Sequence, residues 1–424
     1  MIKYLGSKRR LVPALTALAE ASGARTGLDL FCGTTRVSQA WKALGLEVTA
    51  VDSARVAHVL ARCYVATDPG SRPGLRAEVD EAVDRLNAVV GRPGYVTETF
   101  CLASRYFRPE NGARIDAVRD VIESEYAGTD LWPVLVTSLL EAADRVDSTT
   151  GLQMAYLKQW AARSLHPLVL RAPVLVNGPG HAVQGDACAL VGSAQLPEAQ
   201  LPEVDLAYLD PPYNQHRYDS NYHVWETIVA WDAPSFYGVA CKRDDLRDPE
   251  RRSAFNGRRT MPAALAQVVS SVRAEVMILS YNNESWLSFD ELHALCSARG
   301  HVAVLAFDSA RYVGARIGIH NPAGRKVGTV SHLRNTEYVL VAGERARVKR
   351  MVGAVADAGL GQVVDRPVPV VTLADEAADL AGDRARVRAM VAAVEAAGLG
   401  APVLRPVPRG GPAPPLDQGE AVRV

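Results

Sequence analysis

A short apolar run that ends in two consecutive prolines constrains this chain more than any other feature. Val204 to Leu209 (VDLAYL) is followed directly by Asp210-Pro211-Pro212-Tyr213. The run reads as a buried strand, and two prolines in series cannot continue a sheet ladder, so the chain turns at the strand's carboxyl end. In an open α/β sheet, that edge is where ligands bind. The residues placed there have a definite chemistry: Asp210 and the adjacent carbonyls accept hydrogen bonds from an exocyclic amine, and Tyr213 offers a ring on which a heterocycle stacks. Asp-Pro also opens ordinary surface turns, so other segments have to decide between the two.

Leu28-Asp29-Leu30-Phe31-Cys32-Gly33-Thr34-Thr35 is a short apolar strand running into a turn of small residues. A helical pattern follows from Arg36 to Leu44, with Val37, Ala40, Trp41 and Leu44 on its apolar face. A loop between strand and helix brings backbone N–H groups against a ligand, and Gly33 lets that backbone come close. Glu47 to Val51 reads as a second strand, ending at Asp52 about twenty residues beyond the glycine turn, where an acid typically holds ribose hydroxyls. The same pattern also describes an ordinary βαβ unit with a capping acid.

Taken in chain order, these residues resemble the D12-class DNA adenine-N6 methyltransferases, the group that includes Dam-type enzymes. Lys3-Tyr4-Leu5-Gly6-Ser7-Lys8 is similar to the family's amino-terminal motif, DLFCGTTRVSQA to its cofactor loop, Asp52 to its ribose acid, and Gln184-Gly185-Asp186-Ala187 to the acidic motif upstream of DPPY. Val276 to Glu284 and Asn335-Thr336-Glu337-Tyr338-Val339-Leu340-Val341 resemble its later strands. The resemblance spans roughly residues 1–343, and its order and spacing are more specific than any single motif. It implies an α/β, Rossmann-like, S-adenosylmethionine-dependent methyltransferase fold acting on double-stranded DNA.

On that resemblance, Asp210, Pro211, Pro212 and Tyr213 are the expected catalytic residues. Tyr4, Gly6, Ser7, Lys8, Asp29, Phe31, Cys32, Gly33, Thr34, Thr35, Asp52, Asp186 and Ala187 are expected to hold S-adenosyl-L-methionine. One position departs from the family pattern, Phe-x-Gly-x-Gly: Thr35 stands where the second glycine is usual. A β-branched residue disfavours positive φ, so the loop is expected to keep φ negative there or to be reshaped.

The expected chemistry follows from the substrate. The N6 amine of adenine is a poor nucleophile because its lone pair is delocalised into the ring. Hydrogen bonds from the amine to Asp210 and to the Pro211 carbonyl would favour the tetrahedral nitrogen that attacks the sulfonium methyl in line, without a covalent enzyme intermediate. The base has to leave the duplex first, with Tyr213 stacking on it. A cytosine-N4 enzyme would use the same geometry, although Ser-Pro-Pro is commoner there, and a catalytically inactive binding module would have no need of both Asp210 and Tyr213.

Composition bounds these readings. The 424 residues suffice for one large domain with insertions or for two to three domains, and 48% hydrophobic content supplies a core. Apolar stretches fall short of a membrane span, and no secretory pattern precedes the first strand. Cys32, Cys63, Cys101, Cys188, Cys241 and Cys296 lie far apart with no CxxC pair or metal-ligand spacing, which suits a reducing cytoplasm and no metal.

A net charge of zero argues against nonspecific coating of nucleic acid. Ser309 to Thr336, however, contains no acid, while Arg311, Arg316, Arg325, Lys326 and Arg334 recur among Gly and Asn with His320 and His332. This loop is expected to follow a phosphate backbone. Lys242 to Arg259 mixes both signs and fits either a salt-bridged surface or a DNA contact.

Residues 1–66 and 173–343 are assigned to the catalytic domain, and 67–172 to an inserted, mainly helical recognition region with breaks at Pro69, Pro73, Pro93, Pro109 and Pro133. Arg105, Arg108, Arg114, Gln153, Tyr156, Lys158 and Gln159 are its candidates for DNA contact. The Dam pattern of target recognition is not cleanly present; Asp144 to Leu152 (DRVDSTTGL) occupies that stretch. Beyond Gly343, Glu344 to Gly361 recurs as Asp383 to Gly400, an offset of 39 residues. Residues 344–408 therefore read as a duplicated helical appendage, and 409–424 as a flexible tail. A restriction or phage-defence partner is compatible with all of this.

Overall fold

The computed structural model describes residues 2–3, 8–154, 156–157, 159–192, 201–212, 217–310 and 334–368. Side chains of residues 250, 309, 310 and 334 are outside that description. The described residues all fall in the first of two units, 1–330 with 334–370.

The first unit is framed by an eight-stranded sheet. Its strands are β1 (Thr26–Asp29), β2 (Glu47–Asp52), β3 (Gly180–Gln184), β4 (Val204–Leu209), β7 (Ala274–Asn282), β8 (His301–Ala310), β9 (Arg334–Gly343) and β10 (Gln362–Val364). They lie side by side in the order β10-β8-β9-β7-β4-β1-β2-β3. A separate small hairpin pairs β5 (Phe236–Tyr237) with β6 (Lys242–Arg243). Pairings β3-β2, β2-β1, β1-β4 and β4-β7 are parallel, whereas β9 runs antiparallel to both β7 and β8. This is a doubly wound, Rossmann-like sheet.

The central strands are buried along most of their length because both faces are covered. Leu206 and Tyr208 of β4 face a cluster built from Leu15 and Leu18 of α1 (Val12–Ser22), Trp41 of α2 (Arg36–Ala43) and Met351. Ala207 and Leu209, one pleat over, face Leu265 and Val268 of α10 (Met261–Ser271) and Leu292 of α11 (Phe289–Ser297). Gly27 of β1 makes one of these approaches feasible: a Cβ there would lie 2.8 Å from the Trp41 ring.

Every element between β2 and β3 among the described residues is helical. The α-helices are α3 (Arg55–Ala61), α4 (Leu75–Ala88), α5 (Pro109–Tyr126) and α6 (Leu131–Val146), with a wider π-type turn after α3. Two short helices, α7 (Ala187–Gly192) and α8 (Tyr218–Asn221), follow β3 and β4 respectively. The inserted helices and α9 (His223–Ala230) enclose a third apolar cluster around Phe100, Ile115, Leu139 and Trp225. Two expected breaks turn out to be helix starts. Pro109 occupies the first turn of α5 and Pro133 that of α6, where a missing N–H has no intrahelical partner to lose.

The first copy of the repeat builds into the sheet unit. Its helix α12 (Arg345–Asp357) lays Val348, Met351 and Val355 against the same face as α1, and β10 then extends the sheet edge beyond β8. The second copy, Asp383 to Gly400, lies outside the described residues, as does the 409–424 tail.

Candidate active site

The strand order reverses between β1 and β4: β2 and β3 lie to one side, β7 to the other. Loops leaving the carboxyl ends of parallel strands diverge at such a point and leave a crevice. A cavity of about 350 Å³ occupies it. Four strand ends line it: Asp29 to Thr34 after β1, Asp52 to Arg55 after β2, Gln184 to Ala187 after β3, and Asp210 with Pro212 after β4. Lys8, from the 3-10 turn Lys8–Arg10, joins them.

The loop after β1 is held by its own backbone. Gly33 sits at φ 48 and its N–H donates to Asp52 Oδ2 at 2.9 Å; Asp52 Oδ1 accepts from Ala54 N–H at 2.9 Å. Thr35 overturns the expectation of a negative φ. It takes the left-handed conformation, φ 60 and ψ 21, at the amino end of α2. Such a conformation costs a non-glycine residue about 1–2 kcal/mol. Local bonds over-determine it: Thr35 N–H donates to Cys32 O at 2.6 Å, its Oγ1 donates to Thr34 O at 2.7 Å, and Gln39 Nε2 donates to that Oγ1 at 2.8 Å. Thr35 is buried and supports the loop from behind, while Thr34 lines the cavity.

Three shielded acids surround this space. Asp29 Oδ2 accepts from Ser38 Oγ at 2.5 Å, and Oδ1 is buried without a hydrogen bond. Burial pushes the Asp29 carboxyl up to about 7, against the Ser38 hydrogen bond and with help from the charges of Asp210 and Asp52. Burial likewise raises Asp52, offset by the N–H groups of Ala54 and Gly33. Asp210 is raised to about 6 by burial; the Lys8 ammonium opposes this and Glu337 adds to it. Lys8 Nζ stands 3.0 Å from Asp210 Oδ1 and hydrogen-bonds Glu337 Oε1. An acid, an ammonium and a second acid thus stand in a row at the edge of the sheet.

The sequence pattern of the D12 class N6 adenine-specific DNA methyltransferases matches residues 4–257. This chain belongs to that family. It is 29% identical over 326 residues to the type II methyltransferase M.NlaIII of Neisseria lactamica, a match covering 73% of this chain and 92% of that protein. Against the modification methylase StsI of Streptococcus sanguinis identity is 27% over 310 residues, 69% of this chain but 45% of the relative. A precorrin-6y C5,15-methyltransferase from Geobacter metallireducens GS-15 overlaps at a TM-score of 0.27 and 10% identity, over 81% of this chain and 94% of that one, a likeness that carries no argument.

In this D12-class methyltransferase the cavity gathers Lys8, Asp29, Phe31, Cys32, Gly33, Thr34, Asp52, Asp186, Ala187, Asp210 and Pro212. Tyr4, Gly6, Ser7 and Tyr213 lie outside the described residues, as do Arg311, Arg316, Arg325 and Lys326; for Arg334 only its place in β9 is described. Several wall residues have no signature in the sequence. Phe255 meets Phe31 edge to face at 5.1 Å, and Glu226, buried in α9, accepts from Val56 N–H at 3.0 Å. Glu337 carries no signal of its own, being one position in a strand motif, 329 residues from Lys8.

Other candidates have structural partners. Gln153 is buried, and its Oε1 accepts from Val224 N–H at 2.9 Å, so it braces α9 and is not available to a DNA groove. Arg114 donates to Asn87 O at 3.1 Å, and Arg105 lies over the Trp160 ring at 4.6 Å. In the DRVDSTTGL stretch, Asp147 is buried and binds both Lys3 and Arg163. Within Lys242 to Arg259, buried Arg243 grips Asp232 at 2.6 Å and Asp245 at 2.9 Å, while Arg251 reaches the cavity wall. Trp225 and His223 are core residues. Among the described residues no group of His, Cys, Asp and Glu could hold a metal, and no helix is long and apolar enough to cross a membrane.

Proposed function

We propose that this methyltransferase moves a methyl group from S-adenosyl-L-methionine to the N6 amine of an adenine rotated out of double-stranded DNA, with Asp210 as the acceptor that aligns the amine. The observation that carries this reading is Asp210 lining the same cavity as the Asp29 to Thr34 loop, across the sheet's switch point. The residues present fit the cofactor. Asp29 Oδ1 is a buried acceptor with no hydrogen bond, suited to an ammonium or hydroxyl, and Asp52 keeps lone pairs beyond the two N–H groups it already binds. The Phe31–Phe255 pair gives an apolar wall for a purine. Bound there, the cofactor supplies an electrophilic methyl on a sulfonium.

The remaining chemistry belongs to the protein. Near neutral pH, Asp210 is mostly ionised, being raised only to about 6. As an acceptor it hydrogen-bonds the amine and, with the Pro211 carbonyl, localises the lone pair on nitrogen. The nitrogen becomes cationic as it gains the methyl, and Asp210 stabilises that charge until the proton leaves through the carboxylate or to water. The basic 311–334 segment contributes phosphate contacts on the DNA side.

The test is transfer of label from S-adenosyl-L-methionine to duplex DNA, followed by nucleoside analysis. N6-methyladenine is expected, with Asp210→Ala abolishing transfer while cofactor binding survives. Label found only as N4-methylcytosine, or only in RNA or protein, would overturn the reading.

A further inference from the structure

Glu337 is the unassigned member of the charge row beside the acceptor. It lies on β9 in register with Asn282 of β7 and Phe307 of β8, and the antiparallel course of β9 brings this early position to the carboxyl edge of the parallel strands. Asp210 leaves β4 at the same edge. Lys8 spans the two, with Nζ 3.0 Å from Asp210 and hydrogen-bonded to Glu337. All three side chains are shielded, with exposures of 7% for Lys8, 17% for Asp210 and 14% for Glu337.

From this geometry we infer that Glu337 is a positioning residue for methyl transfer: it anchors the Lys8 ammonium beside Asp210 and shares it, so that the acceptor carboxylate stays aimed and available to the incoming amine. The inference rests on the reading of Asp210 as that acceptor. With Lys8 and Asp210 alone the pair would be neutral, and the ammonium would saturate the carboxylate it faces. Adding Glu337 leaves one net negative charge in the row, which complements the cationic nitrogen formed on transfer. The arrangement also holds Lys8, a flexible four-carbon side chain, in one place without a solvent shell.

The charges of Lys8 and Glu337 push Asp210 in opposite directions. Lys8 lowers its proton affinity and Glu337 raises it. Among the described residues, the other ionisable groups coupled to Asp210 are Asp29 on β1, which feels both Asp210 and Asp52, and Tyr208 on β4, which feels all three members of the row. Substitutions at Lys8 and Glu337 leave both residues in place, and Tyr208, held well above its ordinary value mainly by burial, keeps its proton throughout the range measured.

The experiment is single-turnover methyl transfer to duplex DNA across pH 5 to 9 with saturating cofactor, using the full chain and parallel measurements of cofactor affinity and thermal unfolding. Wild type is expected to lose rate on the acid side near 6, where Asp210 takes up its proton. Glu337→Gln, which keeps an oxygen for Lys8 but removes the charge, should move that limb to lower pH by about one unit, whereas Lys8→Met should move it to higher pH. Glu337→Ala, which removes the anchor of the ammonium, should lower the plateau by roughly ten- to a hundredfold with cofactor affinity little changed. A folded Glu337→Gln whose limb stays at the wild-type position, or shifts upward as in Lys8→Met, overturns the inference, and so does a folded Glu337→Ala with the wild-type plateau. If Glu337→Ala fails to fold, Glu337→Gln carries the test. Wild type that leaves adenine unmethylated would instead defeat the functional reading itself.

Discussion

Asp29 lies in register with Tyr208 across the parallel β1–β4 pair, so the two shielded acids Asp29 and Asp210 leave adjacent strands at one edge of the sheet. Each is raised by burial, and the charge of Asp210 raises Asp29 further. Two carboxyls forced into one desolvated space are poorly suited to stability and well suited to binding a cation and an amine.

Asp29 should therefore make stability depend on pH. Its carboxyl ordinarily titrates near 3.8 and is held at about 7 in the fold, so between those values the folded chain keeps a proton that the unfolded chain has lost. Stability from this group is full below the lower value and falls as pH rises to the upper one. Asp29→Asn removes that loss. Relative to wild type, the variant should show little pH-dependent gain near pH 4 and gain up to ~4 kcal/mol by pH 8. Denaturant unfolding at the two pH values checks this, and a gain of equal size at both would refute it.

Thr35 separates backbone strain from hydrogen bonding. Thr35→Gly relieves a left-handed conformation worth about 1–2 kcal/mol but discards the two Oγ1 hydrogen bonds, so its stability should stay within ~1 kcal/mol of wild type. Thr35→Val loses the same two bonds and keeps the strain, so it should lose ~2–3 kcal/mol. Chemical denaturation of the pair decides the point; equal losses would show that the left-handed conformation carries no strain at this position.

Arg243 tests the mixed-charge segment. Its guanidinium is buried against Asp232 and Asp245, and removing one partner from such a network typically costs about 3–5 kcal/mol. Because both acids retain some exposure, Arg243→Ala is expected near ~3 kcal/mol. The salt dependence of DNA affinity should be unchanged. A lowered salt slope with wild-type stability would identify Arg243 as a DNA contact instead.

The basic segment predicts the opposite signature. Replacing Arg311 or Arg325 by Ala should weaken DNA binding similarly on all sequences and reduce the slope of log affinity against log salt by about 1 each, with unfolding unaffected. Affinity titrations at several salt concentrations measure it; an unchanged slope would remove the segment from the DNA interface.

Much of the site is legible because its chemistry is written in short contiguous motifs. Strand ends at Asp29, Asp52 and Asp210 and the turn at Gly33 follow from apolar periodicity broken by small residues and prolines, which are local signals. Thr35 defies its propensity for the complementary reason. Propensity speaks against positive φ, while the bonds that enforce it come from Cys32, Thr34 and Gln39 acting together. Gln153 has the character of a polar surface residue, and only its burial against α9 shows otherwise.

From the sequence alone came the order of the strands along the chain, the residues at their ends and the family to which they belong. Tertiary structure decided how the strands lie beside one another, and with it which charges meet. Lys8, Asp210 and Glu337 come from the beginning, middle and later part of the chain, and no spacing rule connects them. The antiparallel insertion of β9 beside β7 brings Glu337 to the edge where Asp210 leaves β4. Burial then converts that proximity into an electrostatic coupling, because charges interact far more strongly once water is excluded.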